Sequence, residues 1–286
     1  MHCPRLARPT RRALLLLATL LAPAMAPTST SPSLAAGALQ VLAVPGGQPD
    51  DIAVDTSGRL VWGNLARGTI ERLQGGRVFT IARGLSVPEG VIPRRHDLVV
   101  AEQGLDRVVS LHGRKVQVLV ALVPVSGQEG VDGIGRDPRT GDLLIPDSPR
   151  GTVIRTAANG LRSSIIARNL GRPVDAAVDR RGDVLVPDEH LGTLVVIPPR
   201  GRIRYRGSFS TPDDVAVSSN GVIWVTSLGD GGLWRLTNAG TTRVLGGLAN
   251  PQGLTLDRCG DPIIVEQNTA RIVRLLLTGR SAHCPY

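Results

Sequence analysis

The chain has 286 residues, 42% hydrophobic yet only 2% aromatic, with 34 Gly and 21 Pro; this turn-rich composition allows a sizeable core and excludes a disordered or collagen-like polymer. Its formal charge of +9 rests almost wholly on arginine, because Lys115 is the one lysine, and this excludes a phosphate-cradling loop ending in Gly-Lys. Four of the arginines fall within residues 1–12 and stacking aromatics are scarce, so nucleic acid is not an expected partner.

Residues 1–36 read as a secretory signal peptide and a Ser/Thr/Pro-rich leader. Arg5, Arg8, Arg11 and Arg12 precede an unbroken apolar run over 13–21, and small residues follow, with Ala24 and Ala35 suited to cleavage. The apolar run is shorter than the roughly 20 residues of a relaxed membrane span. A secreted or periplasmic protein without a stable span is expected.

One phrase recurs through residues 37–277: Pro, an acid or amide, Gly or Asp, an aliphatic, then a Gly turn and a β-branched run. It begins at Pro49, Pro88, Val131, Pro173, Pro212 and Pro251, at spacings of 39, 43, 42, 39 and 39 residues. Each unit reads as four short strands with no helical stripe, the signature of a β-propeller blade. In the fifth unit, for example, Gly221 turns strand a into a strand b over 222–226. The sixth unit ends at 277 with three strands, and the run over 39–43 (LQVLA) supplies the fourth. An open ring would leave bare edge strands. The expected fold is therefore all-β, a six-bladed β-propeller of four-stranded blades closed by its N-terminal strand, and a monomer.

Residues 278–286 form a C-terminal tail. Cys3 leaves with the signal; Cys259, in the a–b turn of the last blade, and Cys284, in the tail, are an even pair suited to a disulfide in an oxidising compartment.

The phrase resembles NHL-repeat propellers and the gluconolactonase and senescence-marker-protein family over residues 38–277. In the lactonase family the residue after the Pro supplies the ligands of one divalent cation on the central axis. The corresponding residues here are Asp50, Glu89, Asp132, Val174, Asp213 and Gln252. Glu89 and Asp213 match the family's carboxylate ligands, while Asp132 or Gln252 has to stand in for its Asn ligands and Val174 leaves one blade silent. The resemblance thus implies a metal set of Asp50, Glu89, Asp132, Asp213 and Gln252. The residues alone point the same way. Four carboxylates brought to one axis without basic partners either take up protons or hold a cation. Hard oxygen donors suit Ca²⁺, Mg²⁺ or Mn²⁺ rather than zinc.

A second set lies at the upper ends of strands b: Asn64, Glu102, Asp147, Asp188, Glu189 and Glu266. With Asp51, Asp175 and Asp214 beside the hub, half of the chain's 24 acids gather at one face, and arginine is left for the sides and the bottom. The outer set has a structural reading too, as acceptors for backbone amides or for Arg107, Arg155, Arg235, Arg271 and Arg274. His190 is the His nearest the acids and a conceivable base; His96, His112 and His283 read as loop residues, and Trp62, Trp224 and Trp234 as core. Two functions stay open. One is metal-assisted hydrolysis of a lactone or ester, with Glu89 or Asp213 positioning water. The other is a non-catalytic module holding a small ligand, a partner protein or a cell-envelope polymer on its top loops.

Overall fold

The structure is a computed structural model and describes residues 37–113 and 115–277; the expected signal peptide, His283, Cys284 and the rest of the tail lie outside the described residues. The strands form six four-stranded antiparallel sheets. From the axis outwards, blade 1 is Pro49–Val54, Leu60–Asn64, Thr69–Gln74 and Arg77–Arg83, and blade 2 is Pro88–Pro93, Leu98–Glu102, Arg107–His112 and Lys115–Ala121. Blades 3 and 4 have inner strands of two residues only, Gly135–Arg136 and Ala177–Val178. Blade 5 runs from Pro212–Val217 to Gly240–Leu245. Among the described residues no helix is long and apolar enough to cross a membrane.

Closure occurs as the sequence predicts. Leu39–Ala43 pairs antiparallel with Arg271–Leu275 and completes the sheet of blade 6, with Leu39 opposite Leu275 and Val41 opposite Val273. Arg274 clamps the joint by donating from Nη2 to Gln40 Oε1 at 2.7 Å. Burying this edge removes its unpaired N–H and C=O groups from competition with other chains.

The core is six small cores, one between each pair of neighbouring blades. Strand b is buried on both faces and reads as an apolar run that turns polar only at its upper end, as in Val184–Asp188 and Ile223–Ser227. Between blades 6 and 1, Ile52, Leu60 and Trp62 meet Ile263, Val265 and Ile272. This seal is equivalent to those between sequential blades, such as Leu144, Val153, Val184 and Val195 between blades 3 and 4. Trp62 and Trp224 are buried, and Trp234 packs edge-on against Phe209 with ring centroids 5.6 Å apart. The a–b turns at the bottom use Gly58, Gly141, Gly182, Gly221 and Gly260, all at φ between 76° and 90°, a region that L side chains avoid.

Candidate functional site

Each strand a enters the ring from the top, so the residue after the leading Pro faces the axis. Asp50, Glu89 and Asp213 are each 6–7% exposed there, and Asp132 stands beside them with 16% of its side chain exposed. They share one electrostatic environment. Burial, then Asp132, pushes Asp50 up to about 7. Burial, then Asp132, Asp50 and Asp213, holds Glu89 well above the usual range, and Asp213 rises for the same reason, with Asp132 and Asp50 its nearest repulsive neighbours. Such mutual repulsion requires a common pore, so the predicted convergence of these four side chains is met.

Each carboxylate has a donor, and most of these donors were not foreseen. Gln267 Nε2 donates to Asp50 Oδ2 at 2.6 Å, and Gln103 Nε2 donates to Glu89 Oε2 at 2.7 Å. With its amide nitrogen turned inward, Gln252 donates to Asp213 Oδ2 at 2.7 Å and accepts from Asn250 Nδ2 at 3.2 Å. Val174, 1% exposed, leaves its blade silent as expected.

Arg172 corrects the expectation of a hub without basic partners. Its guanidinium spans the mouth, donating to Asp132 Oδ2 at 3.0 Å, to Glu129 Oε2 at 2.8 Å and to Glu189. These carboxylates hold the guanidinium more firmly protonated than an ordinary arginine. The sequence carried a signal for it: Arg172 is the only basic residue among the two preceding each leading Pro or Val of the six phrases.

A second layer lies just below. Asp51, Asp175 and Asp214 are 6–9% exposed, and each reaches one blade onward to a backbone N–H: Val91 (3.0 Å), Val215 (3.0 Å) and Leu254 (2.7 Å) respectively. Burial raises Asp175 to about 6 and raises Asp51 and Asp214 well above the ordinary value. Beneath them a cavity of about 530 Å³ opens towards the bottom, lined by Asp51, Asp175 and Arg136 as well as by aliphatic residues such as Ile52, Val91 and Val215.

The outer set is structural. Glu102 accepts from Ser86 N and Arg107, Glu266 from Ala249 N and Arg271, and Asp188 from the amides of Gly171, Arg172 and Leu191. Asn64 ties Gln48 N to Gly46 O. Arg107 and Arg271 succeed because they are the first residues of strand c, directly opposite Glu102 and Glu266. Arg155 and Arg274 lie further down and pair instead with Asp137 and Asp257 of the lower turns, while Asp147 is met by Arg150. Arg235 Nε has no partner among the described residues. His190 and His96 are exposed.

The hub oxygens are hard donors of the class that holds Ca²⁺, Mg²⁺ or Mn²⁺. In this arrangement, however, Asp50, Glu89 and Asp213 accept from amides, and Asp132 accepts from Arg172. Among the described residues no group of three or more His, Cys, Asp or Glu side chains is disposed to hold a metal ion. The side chains therefore do not fit a preformed metal centre. Cys259, whose N–H donates to Asp257 Oδ1 at 2.9 Å, is where the sequence places it; its expected partner Cys284 is outside the described residues.

No protein-family model matches the chain, and no curated protein matches it. Solved structures share its fold. A gluconolactonase from Xanthomonas campestris is 17% identical, with 87% of this chain and 93% of that one covered and a TM-score of 0.73. The catalytically inactive virginiamycin B lyase from Staphylococcus aureus with quinupristin is 15% identical, over 87% of this chain and 88% of that one, at a TM-score of 0.66. A chain of the nidogen–laminin complex is 21% identical, over 69% and 79%, at 0.61. At such identities the likeness establishes the propeller and not an activity. The NHL and senescence-marker-protein names remain resemblances.

Proposed function

We propose that this propeller binds a small polar or cationic molecule at the acidic mouth of its channel and hydrolyses a lactone or ester there. The observation that carries the reading is the pairing of Glu89 with Asp132. The two carboxyl groups are neighbours in the hub: burial and then Asp132 hold Glu89 well above the usual range, and Arg172 forms a salt bridge with Asp132. Neighbouring carboxyls in unlike settings, one buried and the other bridged by a guanidinium, can divide acid and base work between them. In the proposed step water attacks the carbonyl carbon and Asp132 takes its proton. Glu89 gives its proton to the departing alkoxyl oxygen as the C–O bond breaks, and the proton on Asp132 then passes back to Glu89, its neighbour in the hub. Asp213, on the far side of the hub with Gln252, would hold a ligand hydroxyl. The gluconolactonase-like neighbours add weight to this substrate class by fold alone. The divalent ion that the resemblance implies would draw on Asp50, Glu89, Asp132, Asp213 and Gln252, and Gln267, Gln103 and Arg172 would first have to yield their carboxylates.

The test is turnover by the purified protein on a panel of lactones and esters between pH 5 and 8, with chelator and with Ca²⁺, Mg²⁺ or Mn²⁺ added. Glu89→Gln and Asp132→Asn should each lose about a hundredfold or more in kcat, and His190→Ala should lose nothing. Absence of turnover under every metal condition would overturn the hydrolase and leave a binding module.

A further inference from the structure

The opposite end of the molecule carries a feature that the hub does not use. The a–b turn of blade 4 presents Arg180 and Arg181, and its outer strand Arg204–Arg206 reads Arg-Tyr-Arg. Together with Asn220 and Asn238 of blade 5 these line a cleft of about 500 Å³ between the two blades on the underside. Arg200 and Arg202, also exposed, lie on the c–d turn that leads into this outer strand and are not part of the cleft lining.

Little in the cleft neutralises them. Asp179 points back into its own turn, accepting the amides of Arg181 at 2.8 Å and Asp183 at 2.9 Å. Asp183 pairs with Arg204 at 2.5 Å, and Arg206 donates to Thr237 O at 3.1 Å. Arg180, Arg181, Arg200 and Arg202 are exposed and form no ion pair among the described residues. Tyr205, 58% exposed, stands among them. Unpaired guanidinium forks match the planar oxygens of carboxylate and sulfate groups. A cleft of this size admits one extended chain rather than a duplex. Single-stranded nucleic acid is held on several stacked rings, whereas this cleft offers one.

We propose that the underside cleft between blades 4 and 5 docks an acidic polysaccharide, its carboxylate or sulfate groups taken by Arg180 and Arg181 of the cleft and by Arg200 and Arg202 of the c–d turn, with a sugar ring lying on Tyr205. The site is independent of the hub and of any reaction there.

Heparin is the probe, titrated against the full chain at several salt concentrations. By counterion release, four ionic contacts should weaken binding about a hundredfold between 50 and 200 mM salt. Arg180→Ser combined with Arg181→Ser should lower the log–log salt slope by about 2, and Tyr205→Ala should weaken binding without altering that slope. These side chains are exposed, so thermal melting should not change. A control pair on blade 1, Arg77→Ser with Arg83→Ser, should bind as the parent does. Equal losses in the control pair, no heparin binding at 150 mM salt, or competition by duplex DNA with the same affinity and slope would each overturn the proposal.

Discussion

Asp50→Asn isolates the electrostatic load of the hub. Asp50 accepts from Asp51 N at 2.9 Å and from Gln267 at 2.6 Å, and burial with Asp132 nearby raises it from 3.8 to about 7. A carboxyl group raised on folding binds its proton more tightly in the native state. Its stabilising contribution is complete below the unfolded value and is lost as pH climbs to the folded one. At about 1.4 kcal/mol per pH unit, Asp50 should remove about 3 kcal/mol of stability between pH 5 and 8. Asp175, raised to about 6, should remove about 1 kcal/mol more. Acids of the opposite sense do not interfere. At Asp97 and Asp137 the upward push of burial is outweighed by hydrogen bonds from Arg94 and Ser110, and from Arg139 and Arg155. What they contribute is present throughout this window and is lost only in stronger acid.

The amide introduced by Asp50→Asn would keep one acceptor and lose the other, costing about 1 kcal/mol at every pH. The pH-dependent part should vanish with the charge. Relative to the parent, Asp50→Asn should therefore gain about 3 kcal/mol on moving from pH 5 to pH 8, roughly a 1 M shift in urea midpoint. Urea titrations at the two pH values, with chelator present, measure it. Parallel pH dependences in parent and variant would refute the reasoning, because Asp50 would then be ionised in the folded hub at little cost.

Arg172→Gln should destabilise the protein by about 2 kcal/mol at pH 8, since Asp132 and Glu189 lose their guanidinium; urea titrations of parent and variant at that pH read the loss. Gly135→Ala should lower the melting temperature sharply, by the equivalent of about 3 kcal/mol or more, because its Cβ would lie 1.9 Å from Ala176 O, a backbone atom of the next blade.

The ring was legible because its signals are local and repeated. The phrase fixes where each strand a begins, and Leu39–Ala43 had to go somewhere once the last blade proved one strand short. The hub acids were legible for the same reason: a fixed offset from Pro in a symmetric ring maps to a common axis. The donors that answer them were not, because Gln103 and Gln267 come from turns after strand b and reach inward by side-chain length, which no period encodes. Arg172 sits immediately before its phrase and has no counterpart in the other five. Composition placed arginine at the sides and bottom, and an average over 33 basic residues cannot single out one exception. The short inner strands of blades 3 and 4 also escaped. Val131 replaces the leading Pro in one, and in the other Pro173 makes only an isolated bridge to Asp188.

The residue after each hub position joins chemistry to stability. In blades 1, 4 and 5 it is Asp51, Asp175 or Asp214, each clasping the amide of the next blade. In blades 2, 3 and 6 it is Gly90, Gly133 or Gly253, where an added Cβ would lie 2.7–3.0 Å from atoms of the following blade. Neighbouring blades are thus joined either by a buried carboxyl reaching outward or by backbones in close approach. The carboxyl joints are the costly kind, since Asp51, Asp175 and Asp214 repel one another as well as the ring above them. A positive charge entering the mouth relieves that repulsion through both layers at once. Were the proposed ligand cationic, its binding would be coupled to the joints that hold the ring together, and it should tighten the propeller even where it touches only the upper carboxyls.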